Sequence, residues 1–102
     1  MHKRTRLTPD ERKQMILLGS INVALKHGLY NFSIANVSTY LKGVSKSTIR
    51  HYYTMNELRT AILIHCMDTE KHPELIAQGI VMNHDALCDM PKSKRQAYMK
   101  HV

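Results

Sequence analysis

Cysteine is scarce in this 102-residue chain, and long apolar runs and catalytic signatures are missing. Its two cysteines, Cys66 and Cys88, follow no motif spacing and no Cys-x-x-Cys pair occurs, so neither a disulfide scaffold nor a zinc-finger framework is expected. No apolar run approaches the roughly 20 residues of a membrane span. The opening Met-His-Lys-Arg-Thr-Arg is basic but runs into Pro9, Asp10 and Glu11 without an apolar segment, which is not the pattern of a signal peptide. With no secretion signal, a reducing cytoplasm is the expected location, bacterial or, for a phage-encoded chain, that of the host. Gly-x-Ser-x-Gly, the P-loop and paired carboxylates in an apolar context are all missing, so no enzyme is expected. The carboxylates lie mainly at helix starts, where capping accounts for them. Alternating apolar patterns, internal repeats and low-complexity segments are missing too, which leaves an all-α chain.

Positive charge is what the chain has in excess. Fifteen Lys and Arg against 8 Asp and Glu give +7 and a pI near 9.7, which favours a polyanionic partner, nucleic acid before membrane. The excess is segregated: residues 1–60 hold 10 cationic and 3 acidic side chains, and residues 61–102 hold 5 of each. A chain this short makes one domain, or one domain with an appended oligomerisation segment. The expected division is residues 1–60, a basic arm and DNA-binding helices, and residues 61–102, C-terminal helices for dimerisation or partner binding.

Helix signals are dense. Thr8-Pro9-Asp10-Glu11 combines an N-cap, a proline at the first helical position and a capping box, and Gly28 supplies a stop, so a first helix is expected over residues 9–27. Its inward stripe reads Leu17, Leu18, Ile21, Ala24 and Leu25. Ser33 caps a second helix over 34–41, with Ile34, Val37 and Leu41 inward. Gly43 takes the left-handed conformation of the turn that follows. Ser45 caps a third helix over 46–52, anchored by Ile49 and Tyr53. Thr54-Met55-Asn56-Glu57 is a second capping box and opens a fourth helix with the stripe Leu58, Ala61, Ile62, His65 and Cys66, which Pro73 ends by about residue 71. A weaker helix is expected over 74–82, a turn around Met82-Asn83-His84-Asp85, a short apolar patch at Ala86, Leu87 and Met90, and a last helix from Pro91 carrying Ala97, Tyr98 and Val102.

Two short helices joined by a tight glycine turn form a helix-turn-helix, whose second helix enters the DNA major groove. The residues Gly43-Val44-Ser45-Lys46-Ser47-Thr48-Ile49, the aromatics Tyr52-Tyr53 and then Asn56-Glu57-Leu58 resemble the DNA-binding region of the TetR family of bacterial repressors. The upstream Gly28 and Phe32-Ser33-Ile34 fit the same order, and the likeness spans residues 12–62. It implies a three-helix DNA-binding unit with Asn56 standing where the family has a lysine at the start of helix four. About 40 residues stand where the family carries its effector domain, so no small-molecule induction is implied. Lys46, Ser47, Thr48, Arg50 and His51 are expected in or beside the groove, cations on phosphates and Arg50 forked onto guanine O6 and N7. Ser33, Lys42, Ser45, Tyr52 and Asn56 complete the expected contacts in this unit.

Some residues admit two readings. Lys3, Arg4 and Arg6 are either an arm on phosphates or a minor groove, or a solvated tail. Tyr40, Tyr52 and Tyr53 offer hydroxyls to phosphate, but helices one and three need aromatic bulk between them; Tyr53 is assigned to the core and Tyr52 to phosphate. His65, Cys66 and His72, and His84 with Cys88 four residues on, lack the closed spacing zinc requires, so no metal or other cofactor is expected. Met55, Met67, Met82, Met90 and Met99 either fill gaps in a core or form an adaptable surface for a protein partner. The leading expectation is a sequence-specific regulator of transcription, a repressor that binds double-stranded DNA as a homodimer. The alternatives are a phage or plasmid protein of replication, partition or packaging, and a protein-interaction module built on the Met-rich C-terminal half.

Overall fold

The computed structural model describes residues 8–82, 84–87 and 90–100. Lys3, Arg4, Arg6, Cys88 and Val102 lie outside them. The chain is all-α. In order come α1 (Pro9–His27), α2 (Ile34–Leu41), α3 (Lys46–Tyr52), α4 (Met55–Thr69), α5 (Pro73–Val81), a 3-10 turn (Asp85–Leu87) and α6 (Lys92–Met99). No helix is long and apolar enough to cross a membrane among the described residues.

Reciprocal caps set the helix starts. The Glu11 amide donates to Thr8 Oγ1 at 3.1 Å, and the Thr8 amide donates back to Glu11 Oε1 at 2.9 Å. Thr54 and Glu57 repeat this at α4. At α2 the partner of Ser33 is Asn36, whose carboxamide oxygen accepts from the Ser33 amide at 3.0 Å. Each pair occupies two of the amides a helix start leaves unbonded. The stops are less regular. Gly28 and Gly43 have φ of +95° and +80°, but Lys42, Glu70 and His72 also adopt positive φ, which costs L-residues energy and leaves no sequence signal.

Helix α1 is buried over more than half its circumference, on Ile16, Leu17, Gly19, Ser20, Ile21, Val23 and Ala24. This corrects the expected stripe: Leu18 is 44% exposed and Leu25 only half-buried. Two helices, α2 and α4, pack on α1, so the buried arc is wider than one periodic stripe. Gly19 permits the close approach of α2, because a Cβ there would stand 2.6 Å from Leu41 Cδ2.

A single apolar cluster runs from Ile16 to Leu87. It contains Leu58, Ile62, Leu63, Cys66, Leu75, Ile76 and Leu87. These seven apolar residues are thus buried within their own chain. The expected stripe of α4 is right at Leu58, Ile62 and Cys66, whereas Ala61 and His65 are half-buried and Leu63 is fully inside. Met55, Met67, Met82 and Met90 pack half-buried against the cluster rim.

Candidate nucleic-acid interface

Helix α3 spends one residue on the core, Ile49, which has no exposed surface. Its start is held by Ser45, whose Oγ accepts from the Thr48 amide at 3.1 Å and shares a hydrogen bond with Thr48 Oγ1 at 3.0 Å. The turn before it is braced from α2, where the Ser38 hydroxyl donates to the Val44 carbonyl at 2.6 Å. At its end Tyr53 is buried, which raises its phenol pKa, and the Lys13 ammonium stands 5.2 Å from the Tyr53 ring centroid.

With Ile49 inward, a helix of roughly 100° per residue turns Ser47 and His51 outward. Lys46, Ser47, Arg50 and His51 are exposed, and Thr48 and Tyr52 are half-buried on the flank. The His51 and Tyr52 rings meet edge to face, with centroids 5.1 Å apart.

The structure divides the expected set into three places. Ser47, Thr48, His51 and Tyr52 line one shallow, open cleft with Arg12 of α1. Asn56 and Tyr52 line a second with Lys13, Tyr53, Ile64 and the acidic Glu57. Arg50 lies on the other flank of α3, over Ile34, Thr54 and Met55. Lys42 is exposed in the turn. Ser33 is half-buried and its hydroxyl sits in the α2 cap, accepting from the Asn36 amide and donating to its Oδ1 at 3.0 Å; Ser45 is likewise occupied by capping.

Arg12 and Lys13 are the residues that sequence reasoning did not single out. Their signal was present. Both fall on the arc of α1 that is buried further along at Ile16, Ser20 and Val23. One turn earlier that arc has run past the core, so cations on it overhang α3. The cleft of Arg12, Ser47, Thr48, His51 and Tyr52 thus gathers a guanidinium, an imidazole and three hydroxyls, with no carboxylate in its lining. Of the three acids in residues 1–60, Glu11 and Glu57 are engaged in helix caps. Such a set supplies several donors to an anion of phosphate size.

Two buried titratable groups lie outside these clefts. Cys66 is buried among Ile62, Leu63 and neighbouring core residues, and burial, aided by the Glu74 carboxylate, pushes its thiol up to about 11. His84 is also buried: its Nδ1 accepts from the Ala86 amide at 3.1 Å and braces the 3-10 turn. Among the described residues, no group of three His, Cys, Asp or Glu side chains is placed to hold a metal ion. No protein-family model, curated protein or solved structure matches this chain.

Proposed function

We propose that the chain is a sequence-specific, double-stranded-DNA-binding regulator of transcription, a non-enzymatic repressor that acts as a homodimer without a small-molecule effector. In this reading α2, the turn and α3 are a TetR-like helix-turn-helix, and α3 enters the major groove. The observation that carries it is the outer face of α3: one residue goes to the core, the exposed ones are cationic or hydrogen-bonding, and Arg12 and Lys13 flank them. A face of that kind gains little by packing against protein and much by displacing counterions from phosphates.

Within this reading, Ser47 and His51 face the base edges. Arg50, on one flank, reaches a base or the adjacent strand. Arg12, Tyr52 and Lys13, on the other, take backbone phosphates, which fix register without carrying sequence. Homodimerisation is supported by readout length, since one short helix reads only a few base pairs and a two-fold pair doubles them. Leu18 and Val81, exposed large apolar side chains, are available for such a pairing.

The test is duplex binding by the full chain across a salt series, with a sequence selected from a random pool and with random duplex. The expected outcome is a log–log slope of about −0.9 for each neutralised phosphate, with several phosphates engaged, and tighter binding of the selected sequence. An affinity indifferent to salt removes the DNA reading.

A further inference from the structure

The link between α1 and α2 runs over residues 28–33 and leads directly into the α2 cap at Ser33. Leu29, in this link, is completely buried. A buried backbone cannot give its polar groups to water, so both of Leu29's need protein partners. Neither partner is local. The Leu29 amide donates to Gln78 Oε1 on α5 at 2.6 Å, 49 residues away. The Leu29 carbonyl accepts from Arg59 Nε on α4 at 3.1 Å, and the next carbonyl, Tyr30's, accepts from Arg59 Nη2 at 3.3 Å. The same guanidinium lies 5.9 Å from the Phe32 ring centroid. Gly28 turns the chain into this strap at φ +95°, and its carbonyl closes the link by accepting from the Asn31 and Phe32 amides at 3.2 and 3.1 Å.

Resting on the DNA-binding reading above, we propose that Arg59 and Gln78 are positioning residues of the α2–α3 pair. They touch no DNA. They fix the link that delivers α2, and α2 in turn carries α3 through the Val44 and Ile49 packing. The angle of the reading helix is thereby set from α4 and α5, outside the helix-turn-helix itself. Arg59 is one of the cations of the basic half, yet two of its nitrogens are engaged on backbone carbonyls, and it serves geometry rather than phosphate.

The test uses the full chain with Gln78→Leu, which deletes the acceptor while keeping bulk, and Gln78→Glu, which keeps an oxygen for the Leu29 amide. Amide hydrogen exchange is read in every helix. In Gln78→Leu the amides of residues 29–41 are expected to exchange about tenfold faster, the scale on which an orphaned buried N–H acts, while those of α4 hold their rates. Gln78→Glu restores the wild-type pattern. Should Gln78→Leu fail to fold, Arg59→Lys, which loses the two-nitrogen grip, is read in the same way. Faster exchange spread evenly over all helices, or no change, overturns the proposal.

Duplex binding gives an independent arm. The variant should lose discrimination between selected and random duplex while its salt slope stays at the wild-type value, because no phosphate contact is removed. Wild-type discrimination in Gln78→Leu overturns the positioning role. A wild-type chain that binds no duplex removes the DNA reading instead, and the exchange comparison still decides the strap.

Discussion

Helix α3 places one of its seven residues in the core, whereas α5 places four of its nine there, Leu75, Ile76, Ala77 and Gly79. The charges differ as well. Helix α3 carries Lys46 and Arg50 and no acid; α5 carries Glu74 and no Lys or Arg. At Gly79 a Cβ would stand 2.8 Å from Leu63 and 2.9 Å from Leu87, so α5 is pressed into its neighbours. The contrast separates two uses of a short helix. One is anchored at a single point and keeps its surface for a partner; the other is consumed by packing. A helix of the first kind depends on its caps, its one anchor and whatever holds the elements beneath it.

The largest effect expected from breaking this contrast is at the anchor. Ile49→Ala should cost about 2–5 kcal/mol, the range for truncating a fully buried aliphatic residue. Ile76→Ala on α5 should cost a similar amount. The two should differ locally: chemical denaturation with site-resolved exchange should show α3 opening below the global transition in Ile49→Ala, whereas Ile76→Ala lowers the whole molecule together. Equal, uniform destabilisation by both would show that α3 is no more autonomous than α5.

The next effect is on the shared core and comes from pH. Burial and the Glu74 carboxylate raise the Cys66 thiol from 9.0 to about 11, and burial raises Tyr53 in the same direction. Both groups are neutral when protonated, and the folded chain holds their protons more tightly than the unfolded chain. Stability from Cys66 is therefore complete below about pH 9 and is lost as pH rises towards about 11. The loss should reach at most about 3 kcal/mol. Cys66→Ala should flatten this alkaline decline in a series of melting curves, and the wild-type thiol should resist alkylation at pH 8 until the chain is unfolded.

The turn yields a smaller effect. Gly43 has φ +80° and open space around its Cβ position, so Gly43→Val is strained by backbone conformation alone, at about 1–2 kcal/mol. Gly43→Asn, which tolerates the left-handed region, should restore most of the loss. Equal melting temperatures for the Val and Asn variants would mean that the turn adjusts freely.

Legibility followed the range of the interaction. The capping residues Thr8 with Glu11, Ser33, Ser45, and Thr54 with Glu57 act within three positions of sequence, and the helices they open begin where those signals place them. Gly28 and Gly43 marked their stops for the same reason. The width of the α1 buried face was not legible, because it depends on which helices lean on it; Ile16, Gly19 and Val23 look unremarkable until α2 and α4 are in place. The positive φ of Glu70 and His72 follows from joining α4 to α5, and neither residue type advertises it. The pairing of Leu29 with Arg59 and Gln78 spans 30 and 49 positions, beyond any periodic pattern. At the candidate interface the exposed character of α3 was legible from composition, and the overhang of Arg12 and Lys13 only from the phase of α1.

The smallest effect on stability, and the sharpest test of the surface reading, is at Arg12. Its side chain belongs to the cleft with Ser47, Thr48, His51 and Tyr52 and fills no part of the apolar cluster. Arg12→Ala should therefore shift unfolding by no more than about 0.5 kcal/mol. If the cleft seats a backbone phosphate, the same change should lower the magnitude of the salt slope by about 0.9 and weaken selected and random duplex alike, because phosphates carry no sequence. Arg50→Ala, on the opposite flank, should cost roughly 1–3 kcal/mol on the selected duplex if it meets a base, and far less on random duplex. The two variants pull apart what a single affinity value merges, the phosphate contact of Arg12 and the base contact of Arg50. An Arg12→Ala chain with an unchanged slope would remove the phosphate from that cleft, and an Arg50→Ala chain that weakens both duplexes equally would move Arg50 to the backbone-contacting side.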